Sequence, residues 1–392
     1  MTRFDAIVLG LGAMGSAAAY QLAKRGSNVL GLDQFAPPHS QGSSHGDTRI
    51  TRLAIGEGAH YTPLALRSHE LWRQIERETG ARLLEQTGAL IISSAAKTSF
   101  THVEGFFDNT IAAARKYGIA HELLDAAEIR RRYPPFKVVD DEVGYFEKDA
   151  GFLRPEACVR SQLALARNHG AQIHTEERAI AFDSSASGVT VTTSRARYAA
   201  ERLILTAGPW LPQLLGGKLA TYLRVFRQVL LWFDVDGDVS AFLPERFPVF
   251  IWELKGMPQG VYGFPALDGV RGGVKVATEH FGASTDPAQV DRGVAPGEVA
   301  ATYRDYVRPY LAALSSRCLK AVTCLYTVTP DFGFLLDAHP ESERVLIVSA
   351  CSGHGFKHSP AIGEAVAELI VDGASRLDLS GFEAERFARG AR

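Results

Sequence analysis

Short unbroken apolar runs alternate with stretches of helical period along this chain. Ala6-Ile7-Val8-Leu9 is apolar throughout and partly β-branched, the pattern of a parallel strand buried on both faces. Helical spacing follows up to Gly26, a predicted C-cap, and a second apolar run ends at Asp33. Residues 34–52 are rich in Gly, Ser, His and Pro and read as a loop. Thr62-Pro63 predicts a helix start, with Thr62 as cap and proline in the first turn. Its apolar stripe of Leu64, Leu71, Trp72 and Ile75 stops at Gly80. The βα rhythm then lapses. Residues 87–93 predict a strand and 103–117 a helix. Asp125-Ala126-Ala127-Glu128 predicts a capped short helix running to Pro134-Pro135.

The rhythm returns with a helix over 155–169, strands over 171–175, 178–182 and 188–193, and a buried strand that stops at Gly208. From about 219 to 327 the pattern is mostly strand: 227–235, 248–252, 260–264 and 273–277, with one helix over 297–310. A buried strand over 345–350, a glycine turn and a helix over 360–371 restore the first pattern. The expected fold class is therefore α/β. A discontinuous Rossmann-like nucleotide domain (1–85, 146–218 and 328–392) carries an α+β substrate domain with an antiparallel sheet (86–145 and 219–327).

Composition narrows the picture mainly by exclusion. A chain of 392 residues exceeds one ordinary core, and 46% hydrophobic with 22% charged residues is the balance of a globular protein. A net charge of −2 offers no basic excess for nucleic acid or an anionic membrane. No apolar run reaches the roughly 18 residues of a membrane span. The first strand begins too early for a signal peptide, and Ala391-Arg392 is no targeting tripeptide, so a cytoplasmic location is expected. Cys158, Cys318, Cys324 and Cys351 form no C-x-x-C and have no zinc spacing, so neither a metal site nor a disulfide framework is expected.

Gly10, Gly12 and Gly15 spell G-x-G-x-x-G in strand, turn, helix, strand, acid order. The first glycine permits a tight turn, the second lets the backbone approach a pyrophosphate, and the third lets helix and strand pack closely. Asp33, roughly 20 residues on, suits a ribose hydroxyl. This unit binds ADP and leaves NAD and FAD both open.

Further runs carry a resemblance. They are the loop 42–52, Val261-Tyr262-Gly263-Phe264-Pro265 with Lys275, Thr323-Cys324-Leu325-Tyr326-Thr327-Val328-Thr329-Pro330-Asp331, and Ser352-Gly353-His354-Gly355-Phe356-Lys357. With Gly10–Asp33 these resemble the monomeric sarcosine oxidase and N-methyltryptophan oxidase family over almost the whole chain. The resemblance implies FAD on a glutathione-reductase-like fold, with Cys324 in thioether linkage to the flavin. Gly10, Gly12, Ala13, Met14, Gly15, Asp33 and Gln34 would hold the ADP half. Gly42, Ser43 and Ser44 would pass the flavin, and Gly353, Gly355, Phe356 and Lys357 would reach its far end. His45 and Arg49 match positions beside the flavin, where a cation stabilises developing negative charge. Arg52 and Lys357 match the substrate-carboxylate ligands, Tyr262 an active-site tyrosine, and Lys275 the lysine that speeds reaction with O2.

The implied activity is oxidation of the C–N bond of a secondary, N-methyl amino acid, with H2O2 as coproduct. The partners are that small substrate and O2, and a monomer is expected. The alternatives are an oxidase or dehydrogenase of cyclic imino acids such as pipecolate or proline, or of other amino acids on the same fold, and then a non-catalytic flavin-binding module. Four residues after the lysine, sarcosine oxidases carry a histidine. Here the position is Glu279, with His280 next to it: either the register shifts by one, or the pocket holds a carboxylate suited to a larger or more cationic side chain.

Overall fold

Arg3–Leu9 takes the middle of an eight-stranded sheet because its apolar residues need cover on both faces. The computed structural model describes residues 3–99, 101–267 and 269–388; Ala391 and Arg392 lie outside them. Val29–Leu32 and Arg197–Leu205 flank the central strand in parallel, and Gln172–His174 and Ser342–Ser349 continue the parallel set on either side. Antiparallel strands finish one side. The helices Ala13–Lys24, Pro155–Asn168 and Ser359–Val371 pack together against this sheet. Their closeness depends on Gly363, where a Cβ would lie 2.5 Å from the Ala17 backbone.

The second sheet also has eight strands, drawn from two distant stretches of chain. Leu314–Val328, Arg224–Val235, Val274–Thr278, Val261–Phe264 and Val249–Trp252 run antiparallel in that spatial order. Val249–Trp252 then pairs parallel with Ala89–Ser93, and Val143–Glu147 and Glu122–Asp125 complete the sheet antiparallel. Val143–Glu147 spans the expected boundary at 145/146, and Leu314–Val328 spans that at 327/328. A three-stranded sheet joins Arg49–Thr51, Gly151–Leu153 and Leu84–Glu85. The class is α/β, a parallel Rossmann-like sheet beside a largely antiparallel one.

Several local expectations need correction. Thr62 does not cap its helix. A 3-10 turn over Ala59–Tyr61 feeds directly into Thr62–Thr79, and the Thr62 hydroxyl is buried without a hydrogen-bond partner among the described residues. The next helix starts at Phe106, because residues up to Gly105 turn through left-handed backbone. The expected helix over 297–310 is an α-helix, Pro296–Thr302, that widens into a π turn, Tyr303–Val307. Residues 49–51 pair as a strand rather than remaining loop. Asp125 does cap, accepting from the Glu128 amide at 2.8 Å, and left-handed Gly80 does end its helix.

Candidate active site

The first βα turn opens a groove of about 1480 Å3, counting its open mouth. Gly10 has φ +95, and a Cβ there would lie 2.6 Å from Ala207. Gly12, Ala13, Met14, Asp33 and Gln34 all line the groove. Gly15 does not line it. A Cβ at Gly15 would fall 1.7 Å from the Gly10 carbonyl oxygen, so its bareness serves the contact of helix and strand. Asp33 accepts from the amides of Leu11 (2.7 Å) and Phe35 (2.8 Å), which holds the turn in shape. Ser44 accepts from the Ala13 amide at 3.1 Å and so ties the following loop to the helix N-terminus.

Gly42, Ser43, Ser44 and Arg49 continue the groove, and Gly353, Gly355 and Phe356 close its far end. The Ser43 hydroxyl and His45 Nε2 are buried without hydrogen-bond partners among the described residues. Ser43 lines the groove, and its orphaned hydroxyl beside a bare-backbone turn fits a polar cofactor lying there, while His45 lines neither cavity. Burial, reinforced by the Arg49 and Lys275 charges, pushes His45 down to about 3. His45 is therefore a neutral imidazole, and the fixed cation at this point is Arg49. Cys324 is fully buried on Leu314–Val328 opposite Gln228 and does not itself line the groove. Arg49 donates to its Sγ at 3.3 Å, and Arg49 and Ser43 both reach the groove from beside it.

A second cavity, about 650 Å3 counting its open mouth, shares Arg49, Tyr326, Gly353 and Phe356 with the groove as a common wall. Arg52, Tyr262, Lys275, Glu279 and Lys357 all line it. Lys357 belongs to this cavity and not to the groove. Lys275 is 1% exposed and donates to the Gly46 carbonyl (2.7 Å), the Thr48 carbonyl (3.0 Å) and the Thr48 hydroxyl (3.2 Å). Burial, with Arg49 nearby, holds its ammonium well below the usual lysine range. Lys357 donates to the His354 carbonyl at 2.5 Å, and burial lowers it to about 7. Arg52 is 2% exposed, donates to Glu57 at 2.5 Å and to the Ala54 carbonyl at 2.6 Å, and lies over the Phe106 ring.

Residues without an assigned role in the sequence reading complete the site. Buried Glu147 accepts from the Leu53 and Ala54 amides at 2.6 and 3.1 Å, which fixes the turn whose carbonyl holds Arg52. Glu57 is held well below the usual carboxylate range: burial opposes its charge, and the charge of Arg52 above all, with Lys357, outweighs that. A lone acid between two glycines five residues after Arg52 was a signal available in the sequence. His102 bonds Glu279 at 2.9 Å through Nε2 and lies 3.6 Å from Glu57 through Nδ1. Burial opposes charge on His102, but the two carboxylates raise it. Nothing local marked His102 in advance. Tyr326 meets Tyr262 hydroxyl to hydroxyl at 3.2 Å. The register question resolves: Glu279 faces the cavity, while His280 bonds Thr278 and Gln228. His354 stacks on Phe334 and is pushed down to about 3 by burial, so it is neutral.

A profile described as FAD dependent oxidoreductase matches residues 5–369. The chain belongs to this family. It is 40% identical over 386 residues to a monomeric sarcosine oxidase of Streptomyces avermitilis, covering 98% of each chain. It is 35% identical over 387 residues to an N-methyl-L-tryptophan oxidase of Yersinia pestis, covering 98% of this chain and 99% of the relative. Among solved structures, the open form of NikD, an unusual amino acid oxidase, superposes with a TM-score of 0.84 at 24% identity, covering 98% of each chain, and shows the shared fold. As a member of the FAD dependent oxidoreductases, the chain is a flavin-dependent amine oxidoreductase, and the groove at Gly10–Asp33 fits its FAD. Among the described residues no helix is long and apolar enough to cross a membrane, and no group of His, Cys, Asp and Glu side chains could hold a metal ion.

Proposed function

We propose that this enzyme is an oxidase of secondary, N-methyl amino acids, and that it works as a cytoplasmic monomer with FAD bound covalently through Cys324. One observation carries the substrate reading: two buried cations, Arg52 and Lys357, line a cavity that shares a wall with the FAD groove. A carboxylate bound between them fixes the rest of a small amino acid against that wall, and a guanidinium suits a carboxylate geometrically. Segments 1–85, 146–218 and 328–392 serve the cofactor, and 86–145 and 219–327 the substrate.

The chemistry that FAD supplies when bound is acceptance of the hydride equivalent from the C–N carbon and delivery of those electrons to O2 as H2O2. The chain's own residues orient and neutralise. The amine reacts in its neutral form, losing its N–H proton as the C–N bond becomes an imine, and water then splits the imine to an aldehyde and an amine. Arg49 places a fixed positive charge beside Cys324 and the groove. Lys275 supplies charge for the anion formed as O2 is first reduced. Tyr262 and Tyr326 close the side between them. Both full-length relatives above are named for N-methyl substrates, and this favours the reading over cyclic imino acids. The test is H2O2 release against sarcosine, N-methyl amino acids, pipecolate and proline. Release with the first two groups is expected. Peroxide from pipecolate or proline alone, or dye reduction without peroxide, would overturn it.

A further inference from the structure

The amine cavity has walls beyond the groups that would hold sarcosine, which has no side chain. Its walls include Phe106, Ile251, Tyr262 and Phe264, an apolar lining of the kind that accepts an aliphatic or aromatic body. One corner is polar. Thr101 lines the cavity, is 6% exposed, and its hydroxyl has no hydrogen-bond partner among the described residues. Glu279 lines it too and engages His102 through Oε1. His102 also lines the cavity, bonded to Glu279 through Nε2 with its Nδ1 3.6 Å from Glu57, and the acceptors this corner adds are the second oxygen of Glu279 and the Thr101 hydroxyl.

The corner sits where a side chain would point. A Cβ on Gly353 would lie 2.6 Å from His102 Nε2 and 3.1 Å from Glu279 Oε1, so the pair packs on the bare backbone of the turn that carries Lys357. On its other side His102 reaches Glu57, which is bonded to Arg52. Carboxylate and side chain leave the same carbon of an amino acid. A subsite beside both carboxylate cations is therefore reachable from that carbon. The Thr101 hydroxyl, buried there without a partner among the described residues, is costly, and a donor on the substrate relieves the cost.

We propose that Thr101 and Glu279, with His102 holding Glu279 in place, form a side-chain subsite. It selects secondary amino acids whose side chain has an apolar body and ends in a hydrogen-bond donor. This inference rests on the function proposed above. The test is kcat/KM of the holoenzyme with two matched pairs. One is α-N-methyl-tryptophan against its 1-methylindole analogue. The other is α-N-methyl-lysine against the N-methyl amino acid with a methyl in place of the ammonium. A donor preference of about tenfold or more is expected in at least one pair. Glu279→Ala should bring that ratio to within about twofold of unity, and Thr101→Val should lower it. Each ratio is taken within one preparation, so partial loss of folded enzyme cancels. If Glu279→Ala does not retain FAD, Glu279→Gln and Thr101→Val carry the comparison. Ratios near unity in the wild type, or ratios unmoved by these variants, overturn the subsite while N-methyl oxidation stands. Absence of turnover with all four compounds and with sarcosine overturns both.

Discussion

Lys357 carries its charge conditionally, because burial has brought it down to about 7. Its protonated form is the one that attracts a carboxylate. Affinity for an unreactive carboxylate such as acetate should therefore fall as pH rises from about 6 to about 8. Binding read by flavin absorbance should lose this slope in Lys357→Met, while the Arg52 guanidinium keeps residual affinity. Lys275 is held by three oxygens from Gly46 and Thr48, so its position is set before any ligand arrives. Lys275→Met should slow reoxidation by O2 far more than reduction by substrate in stopped-flow traces; equal slowing would refute its oxygen role. Residue chemistry of this kind was legible where a motif surrounds the residue, as for Arg52, Lys275 and Lys357. It was not legible for Glu57, His102 or Glu147, whose roles exist only through partners brought from other segments.

At the scale of elements, the G-x-G-x-x-G turn divides its labour. Gly10 and Gly12 shape the groove, while Gly15 lets the helix approach. Gly15→Ala would put a methyl 1.7 Å from the Gly10 carbonyl oxygen, and the purified protein should hold severalfold less FAD by absorbance. Asp125→Ala removes one helix cap far from both cavities. It should cost about 1 kcal/mol in urea unfolding and leave kcat/KM close to wild type. Elements with strong local punctuation were read correctly, as at Gly80 and Asp125. Arg49–Thr51 was not, because a three-residue strand in a Gly- and Ser-rich loop has no periodicity of its own and forms only against Gly151–Leu153. The long strand Leu314–Val328 was not predicted, since its first half is half-exposed and polar.

For the whole molecule, the groove gathers Gly10, Ser43, Trp210 and Gly353, positions spread over most of the chain. A ligand touching all of them links segments that lie far apart in sequence. The Cys324→Ser enzyme should release its flavin into the supernatant on acid precipitation, where the wild type gives a yellow pellet. Its melting temperature should climb with added FAD, by about 1.4 kcal/mol of stability per tenfold excess over Kd, while the tethered wild type shows no such dependence. Colour left wholly in the wild-type supernatant would refute the covalent link.

The ADP-binding turn, the α/β class and the family likeness were determined by sequence alone, since each rests on contiguous residues whose spacing reports local backbone geometry. The tertiary structure decided which charges are real and which groups meet. His45 is neutral because burial and two neighbouring cations leave no room for a third charge, and Glu279 meets His102 because two distant segments converge over a glycine. Burial and long-range pairing are properties of the folded packing, and no local spacing encodes them.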